Sequence, residues 1–579
     1  MKKILTTILL LLTSLWTTAQ QLTITTDAEG QLAQLLPDSS RNSVEELAIS
    51  GPLNGNDMKI IQLIANRNRI KKGSDRMLRV LDLSEATLTG GKSSFRMKAG
   101  TLPAAMFLNC KSLQKIILPN TTSEVSRSCF SGCVNLEEVI IPEGTEVIGE
   151  YAFNNCSALR AVTLPQSLTT IKNHAFDGCL LFTEIEIPAN VTKMDAYAFN
   201  NCVHLQQAHI KADINRLADN AFSGCVALQQ VEIPTSVTLI GNNAFKGCAA
   251  LEQVQMPDAI SQISNNAFEG CTSLAQVEMA TATIVGSEAF KGCIALTSIS
   301  FENAHRIGSS AFQNCSSLAS VQIDGFIKNL GEETFSGCSS LAELSIPTTI
   351  KVIGERAFYD CKSLQEIKLP EALTRIQDHA FENCASLHWI HIPSMVKQMG
   401  SDVFENCVSL DSVFIQGFID KIESDAFRAC RSLRVVRLPI SVKSIQDNAF
   451  QDCTSLSSIN LPISITSIGD NAFERCASLR TVIVPAACAT IGTAAFRECS
   501  SLTRLELPAA MKKIGGNAFA KCVSLRELAM RCPLPPSISH STFKGVTLNA
   551  CKITVPRGCL DNYTEDKSWK KMPILLDQE

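Results

Sequence analysis

A phenylalanine that returns every 23 residues constrains this chain more than any other feature. From Phe107 to Phe543 it recurs twenty times, inside the pattern Phe-x-x-Cys-x-x-Leu. The step is 22 only on either side of Phe290, and 24 at the end, where Val546 replaces the cysteine. A period of this length marks a stacked-repeat architecture, because one unit is too small to bury its own apolar face. Fully burying about five apolar side chains contributes about 10 kcal/mol. Fixing the backbone of one unit costs about 30, so a unit is stable only with neighbours on both sides.

The plan of a unit is visible between Leu228 and Cys248. Leu228, Val231 and Ile233 fit a short strand with its apolar side inward, and Pro234 ends it because proline has no N–H for a ladder bond. Asn243, Ala244, Phe245, Lys246 and Gly247 read as one helical turn, with Asn suited to cap its start and Gly to permit a left-handed exit. The expected fold class is an α/β solenoid with a continuous parallel sheet on one face and short helical turns on the other. Twenty units rising about 4.8 Å each would make a rod or arc on the order of 90 Å long.

These residues resemble the BspA-like class of bacterial leucine-rich repeats. The core of the resemblance is Leu-x-x-Val-x-Ile-Pro followed by Ala-Phe-x-x-Cys, and it reaches both ends, through Leu47 to Asp57 and Leu81 to Ala86, and through Ile553 to Cys559 with Tyr563 and Trp569. The resemblance implies a leucine-rich repeat protein of the cell surface or secreted space that binds proteins or other host-surface ligands. It carries over no catalytic residue. The organisation expected is a signal peptide at 1–19, an N-terminal capping segment at 20–100, the solenoid at 101–546 and a C-terminal capping unit at 547–579. In the N-terminal segment, Asp57 to Ala65 suggests a short helix and Lys71 to Asp75 a loop.

Composition narrows the partners. Lys+Arg 52 against Asp+Glu 56 gives a net charge of -4, which leaves no broad positive field for nucleic acid. Lys2 and Lys3 precede an apolar run from Ile4 to Trp16 that leads into Thr17, Thr18 and Ala19, the layout of a secretory signal cut near Ala19. The first cysteine is Cys110, so no thiol stands near the cut to carry a lipid. No later stretch is apolar for about 18 residues. The expectation is an exported chain without a membrane span in its mature form, placed at the cell surface, outside the cell or in the periplasm.

Nineteen of the 24 cysteines, Cys110 to Cys522, occupy the one repeat register. A column of small, buried, reduced thiols beside the phenylalanines is the expected arrangement. A disulfide ladder is disfavoured, since nineteen is odd and parallel side chains do not supply the dihedral a bridge needs. The other five are Cys129, Cys488, Cys532, Cys551 and Cys559, and one bridge among the last three stays open. No Cys-x-x-Cys, His-Glu-x-x-His, Gly-x-Ser-x-Gly, Gly-x-x-x-x-Gly-Lys or Gly-x-Gly-x-x-Gly motif occurs. His388 and His391 are three apart in a predicted strand and point to opposite faces. No enzyme activity, metal or cofactor is expected.

Function is then sought at the second and fourth positions after the strand leucine, which project outward. Early units offer a mildly acidic strip: Glu184 and Glu186, Gln207 and His209, Gln230 and Glu232, Gln253 and Gln255, Gln276 and Glu278. Ser298, Ser300 and Ser320 follow, then Glu366 and Lys368, and then the strip turns aromatic. His391, Phe414 and Arg437 should form one column with Trp389 diagonal to Phe414. Exposed aromatics flanked by Arg are the residue types of binding hot spots, so these four are the candidate site for a host or matrix protein or a glycan. The plainer alternative is that Trp389 and Phe414 cross-pack to shield the strands. A carbohydrate-active parallel β-helix enzyme, an inhibitor and a structural spacer are the competing functional classes.

Overall fold

The computed structural model describes residues 21–41, 43–66, 77–92, 95–278, 281–572 and 576–577. The expected signal peptide at 1–19 and the loop at Lys71 to Asp75 lie outside them. The chain divides into two compact units, one running to Ile260 and taking in Gly270–Thr272, the other made of Ser261–Glu269 and Ser273 onward.

Both units are built from stacked coils held by parallel ladders, as the period requires. In the first unit Glu184–Ile187, Gln207–Ile210 and Gln230–Glu232 pair in parallel, with Ile185 against Ala208 against Val231. Side chains alternate strictly, Glu184 and Glu186 exposed, Ile185 and Ile187 buried. A second parallel ladder of two-residue strands runs through each unit, for example Glu124–Val125, Val147–Ile148, Thr170–Ile171 and Lys193–Met194 in the first.

The start of the chain joins the first ladder rather than standing apart from it. Gln21–Thr25 pairs with Glu46–Leu53, which pairs with Val80–Asp82, which pairs with Lys115–Ile117. The helix expected from Asp57 begins slightly earlier, at Gly55–Ala65. Asn54 caps it, and buried Asp57 returns the favour to the Asn54 N–H at 3.0 Å while also accepting from Gly30 at 2.7 Å and Leu32 at 3.0 Å.

The core of each unit is a column of rings. In the first unit Phe107 to Phe245 stack with centroids 5.1–5.8 Å apart and planes within 11°. In the second, Phe268 to Phe543 form a stack of their own at 5.1–5.7 Å. That column ends on Trp569, edge-on to Phe543 at 6.3 Å, with its indole N–H donating to the Pro536 carbonyl at 2.7 Å.

Two details differ from the sequence expectation. No described helix falls within the repeats, and the Ala-Phe segment is a run of turns. Asn243 is not a helix cap but itself left-handed, φ 54°, and Gly247 is left-handed at 74°. This alternation aims every second N–H along the stack. Asn220, Phe222 and Gly224 donate to the carbonyls of Asn242, Ala244 and Lys246 one coil on, at 2.8, 2.8 and 2.7 Å, N–H groups that a single helical turn would leave without an intrahelical partner. The turns thus make a third inter-coil ladder. The first ladder is also not continuous. In the second unit it breaks between Glu343–Ser345 and Trp389–Ile392, where no strand forms at 364–370, and again between Val435–Arg437 and Thr481–Ile483, where one bridge from Ser458 remains.

Candidate binding face

The thiol column is bonded. Each register cysteine from Cys133 to Cys522 donates its Sγ–H to the carbonyl of the phenylalanine one coil before, as Cys133 does to Phe107 at 3.0 Å and Cys361 to Phe335 at 3.2 Å. The offset is 26 residues, and 25 at Cys293 and Cys315, where the coil is one residue shorter. Burial raises thiols along this column, pushing Cys156 and Cys315 up to about 12, which holds those two in the thiol form. All the described cysteines are free. Near the end of the chain Cys532 accepts a hydrogen bond from the buried Tyr563 hydroxyl at 3.2 Å, and Cys551 and Cys559 also stand as thiols.

In the first unit the outward strip is the expected acidic one. His209 sits between Glu184 and Glu232, 3.6 and 3.4 Å away, and Lys211 reaches Glu186 at 2.9 Å.

The aromatic strip of the second unit assembles in the order the period dictates. His391 lies opposite Phe414 and Phe414 opposite Arg437, while Trp389 lies opposite Ser412 and so diagonal to Phe414. The Arg437 guanidinium covers the Phe414 ring, with 5.2 Å from Cζ to centroid. This contact orients a cation and half-buries a ring that a lone Phe would leave exposed. Beneath these residues Ile390, Val413 and Val436 are buried and fix the strands. Trp389 remains 42% exposed.

Trp389 and His391 also line a cleft of ≈590 Å³ together with Glu343, Glu366, Lys368 and Glu371. Phe414 and Arg437 lie outside its lining. The cleft exists because the ladder is broken here, which lets the two stretches of backbone part. The sequence reading named Glu366 and Lys368 as neighbours of the aromatic strip but not as sharing a cleft with it, since the segment Leu364 to Pro370 has the same pattern as units that do pair. A second break further on opens a cleft of ≈750 Å³ among Ile459, Ile463, Ile483, Pro485, Glu506 and Arg531. That cleft went unforeseen too, although Asn460 in a strand position, a residue type depleted in strands, was an available signal.

Among the described residues no helix is long and apolar enough to cross a membrane. Similar solved structures include a leucine-rich repeat protein from Bacteroides ovatus ATCC 8483, 22% identical over 86% of this chain and 92% of that one, TM-score 0.30. A leucine-rich repeat protein from Eubacterium ventriosum ATCC 27560 is 18% identical over 78% and 88%, TM-score 0.29. A leucine rich cell surface protein from Faecalibacterium prausnitzii A2-165 is 20% identical over 80% and 88%, TM-score 0.23. No curated protein matches the sequence. The family model for the BspA type leucine rich repeat region matches residues 100–228, 215–342, 305–434 and 420–549. With coils, ring column and thiol register all falling inside those segments, which together span more than half of the sequence, the chain belongs to the BspA type leucine-rich repeat family.

Proposed function

We propose that this chain is an exported, non-catalytic binding protein, adhesin-like, that holds a protein or glycan ligand on the first-ladder face around Trp389, His391, Phe414 and Arg437. The observation that carries the reading is the half-exposed Trp389 at the lip of a cleft, beside a cation–π pair that presents Arg437 in a fixed pose. Large rigid aromatics and Arg supply contact area at low entropic cost. The division of labour in the sequence supports it as well. Residues that recur in every coil are buried, and residues that vary from coil to coil lie outside. Family membership favours this reading over a parallel β-helix enzyme. Helix content does not separate the two, because the repeats hold turns where helices were expected.

The test is an array of glycans and extracellular-matrix proteins probed with the full chain and with W389A/F414A. Loss of the strongest signals in the variant supports the site. Equal binding by a correctly folded variant to every ligand found overturns it.

A further inference from the structure

The second ladder carries a separate feature. In five successive coils of the larger unit, the residue that starts the two-residue strand, or the one before it, is basic: Arg306, Lys328, Lys351, Arg375 and Lys397. All five are exposed, while Ile307, Leu330, Ile353, Ile376 and Met399 beside them are buried. The rungs are close. The Lys351 N–H donates to the Lys328 carbonyl at 2.7 Å, Thr374 to Lys351 at 2.8 Å and Lys397 to Thr374 at 2.9 Å, so the three lysines share a column with Thr374 while Arg375 stands one residue on, opposite Val352 and Gln398, on coils about 4.8 Å apart. Between Arg306–Ile307 and Asn329–Leu330 the ladder is open. A cleft of ≈430 Å³ lies there, lined by His305, Arg306, Lys328 and Phe326. Phe326 is 64% exposed.

None of the five cations has a carboxylate within ion-pair distance among the described residues, and none makes a side-chain hydrogen bond. The same unit pairs its cations elsewhere: Lys421 with Glu423 at 2.8 Å, Arg475 with Glu474 at 3.3 Å, Lys521 with Glu498 at 2.7 Å. Acids stand close along the chain, Asp378 three residues from Arg375 and Glu302, Asp324, Glu332, Glu355 and Glu371 each four from one of the five, but they are engaged elsewhere or unpaired with the stripe: Asp378 accepts from the Ser401 N–H at 2.9 Å and Glu355 pairs with Arg356 at 2.8 Å. Asp324 accepts from Gln322 at 2.8 Å and Glu371 lines the Trp389 cleft. Like charges on adjacent rungs repel, and a polyanion laid along them removes that cost.

We propose that this stripe, from the cleft at Arg306 and Phe326 to Lys397, binds a linear acidic polysaccharide, independently of the site around Trp389. Ammonium groups serve as point charges for sulfate or carboxylate, and the exposed Phe326 ring beside Arg306 offers an apolar face to a sugar. Nucleic acid fits less well. DNA carries a charge every ~1.7 Å of axis, against one cation per rung of ~4.8 Å here, and single-strand binding needs a series of stacking rings where the cleft has one.

The probes are heparin, hyaluronan and a single-stranded oligonucleotide of matched length, titrated against the full chain over a series of salt concentrations. Heparin should bind with an affinity that falls as salt rises. K328Q/K351Q/R375Q should lower that affinity about tenfold and flatten the salt dependence, F326A should lower it less, and W389A/F414A should leave it unchanged. Thermal melts of the variants that match the parent show that the loss is one of binding. Unchanged heparin affinity in the triple variant overturns the proposal, as does oligonucleotide binding as tight as heparin binding.

Discussion

The Cys361 thiol and the Phe335 carbonyl, 26 residues apart in sequence, are hydrogen-bonded at 3.2 Å, and the same carbonyl also accepts from the Cys338 N–H at 3.1 Å. One oxygen thus closes the turn of its own coil and clasps the next. Cys361→Ala removes the clasp and leaves a small void. It should cost about 1–2 kcal/mol in chemical denaturation, and no loss at all would show the contact to be incidental.

The ring column sets a larger cost. Phe312 is fully buried and stacks on Phe290 and Phe335 at 5.5 and 5.6 Å. Phe312→Ala should destabilise the chain by about 3–5 kcal/mol, against less than about 1 kcal/mol for Trp389→Ala, which empties no core space. Urea titrations of the two variants give the comparison directly.

Alkaline pH should unfold the protein well before its arginines titrate. Burial raises register thiols such as Cys179, Cys361 and Cys453 well above the ordinary thiol value, and Cys156 and Cys315 up to about 12, whereas unfolded thiols ionise at about 8.5. The folded state binds the proton more tightly, so this stability is fully present below about pH 8.5 and is lost as pH rises toward the folded values. Each such thiol removes about 1.4 kcal/mol per pH unit in that window. Circular dichroism against pH should show a steep loss starting between about pH 9 and 10; a fold unchanged at pH 11 would contradict the buried-thiol column.

Alkylation gives a count. At pH 8 without denaturant, iodoacetamide should modify Cys559, the one described cysteine that is not buried, and spare the register thiols. Denaturant should expose the rest, and intact mass reads both states. Several adducts on the native chain would mean that the coils open readily.

Tryptophan emission separates two environments. Trp389 is 42% exposed and Trp569 buried. Acrylamide should quench a red-shifted component that disappears in W389F, and a bound ligand at the aromatic strip should protect that component.

Much of the fold was legible because the phenylalanine period, the strand-ending prolines and the thiol register each report burial, and burial is what a repeat fixes. The column of His391, Phe414 and Arg437 followed from counting, since register in a stack is the sequence period itself. The helical turn was misjudged at Asn243, because asparagine suits both a helix cap and a left-handed residue and only the neighbouring coil decides between them. The clefts were illegible for a related reason. Whether Leu364 to Pro370 pairs or parts depends on how two flanking coils seat, and its own residues match those of coils that pair.

The clasp between thiol and carbonyl has an evolutionary corollary. Every donor meets an acceptor defined by its place in the period, so excising or duplicating one whole period restores the same partnership across the splice, as the shortened coils at Cys293 and Cys315 already tolerate. Gain and loss of coils by unequal recombination is therefore nearly free of local penalty, and natural variants of this chain should differ by integral numbers of periods sooner than by substitutions at Phe or Cys.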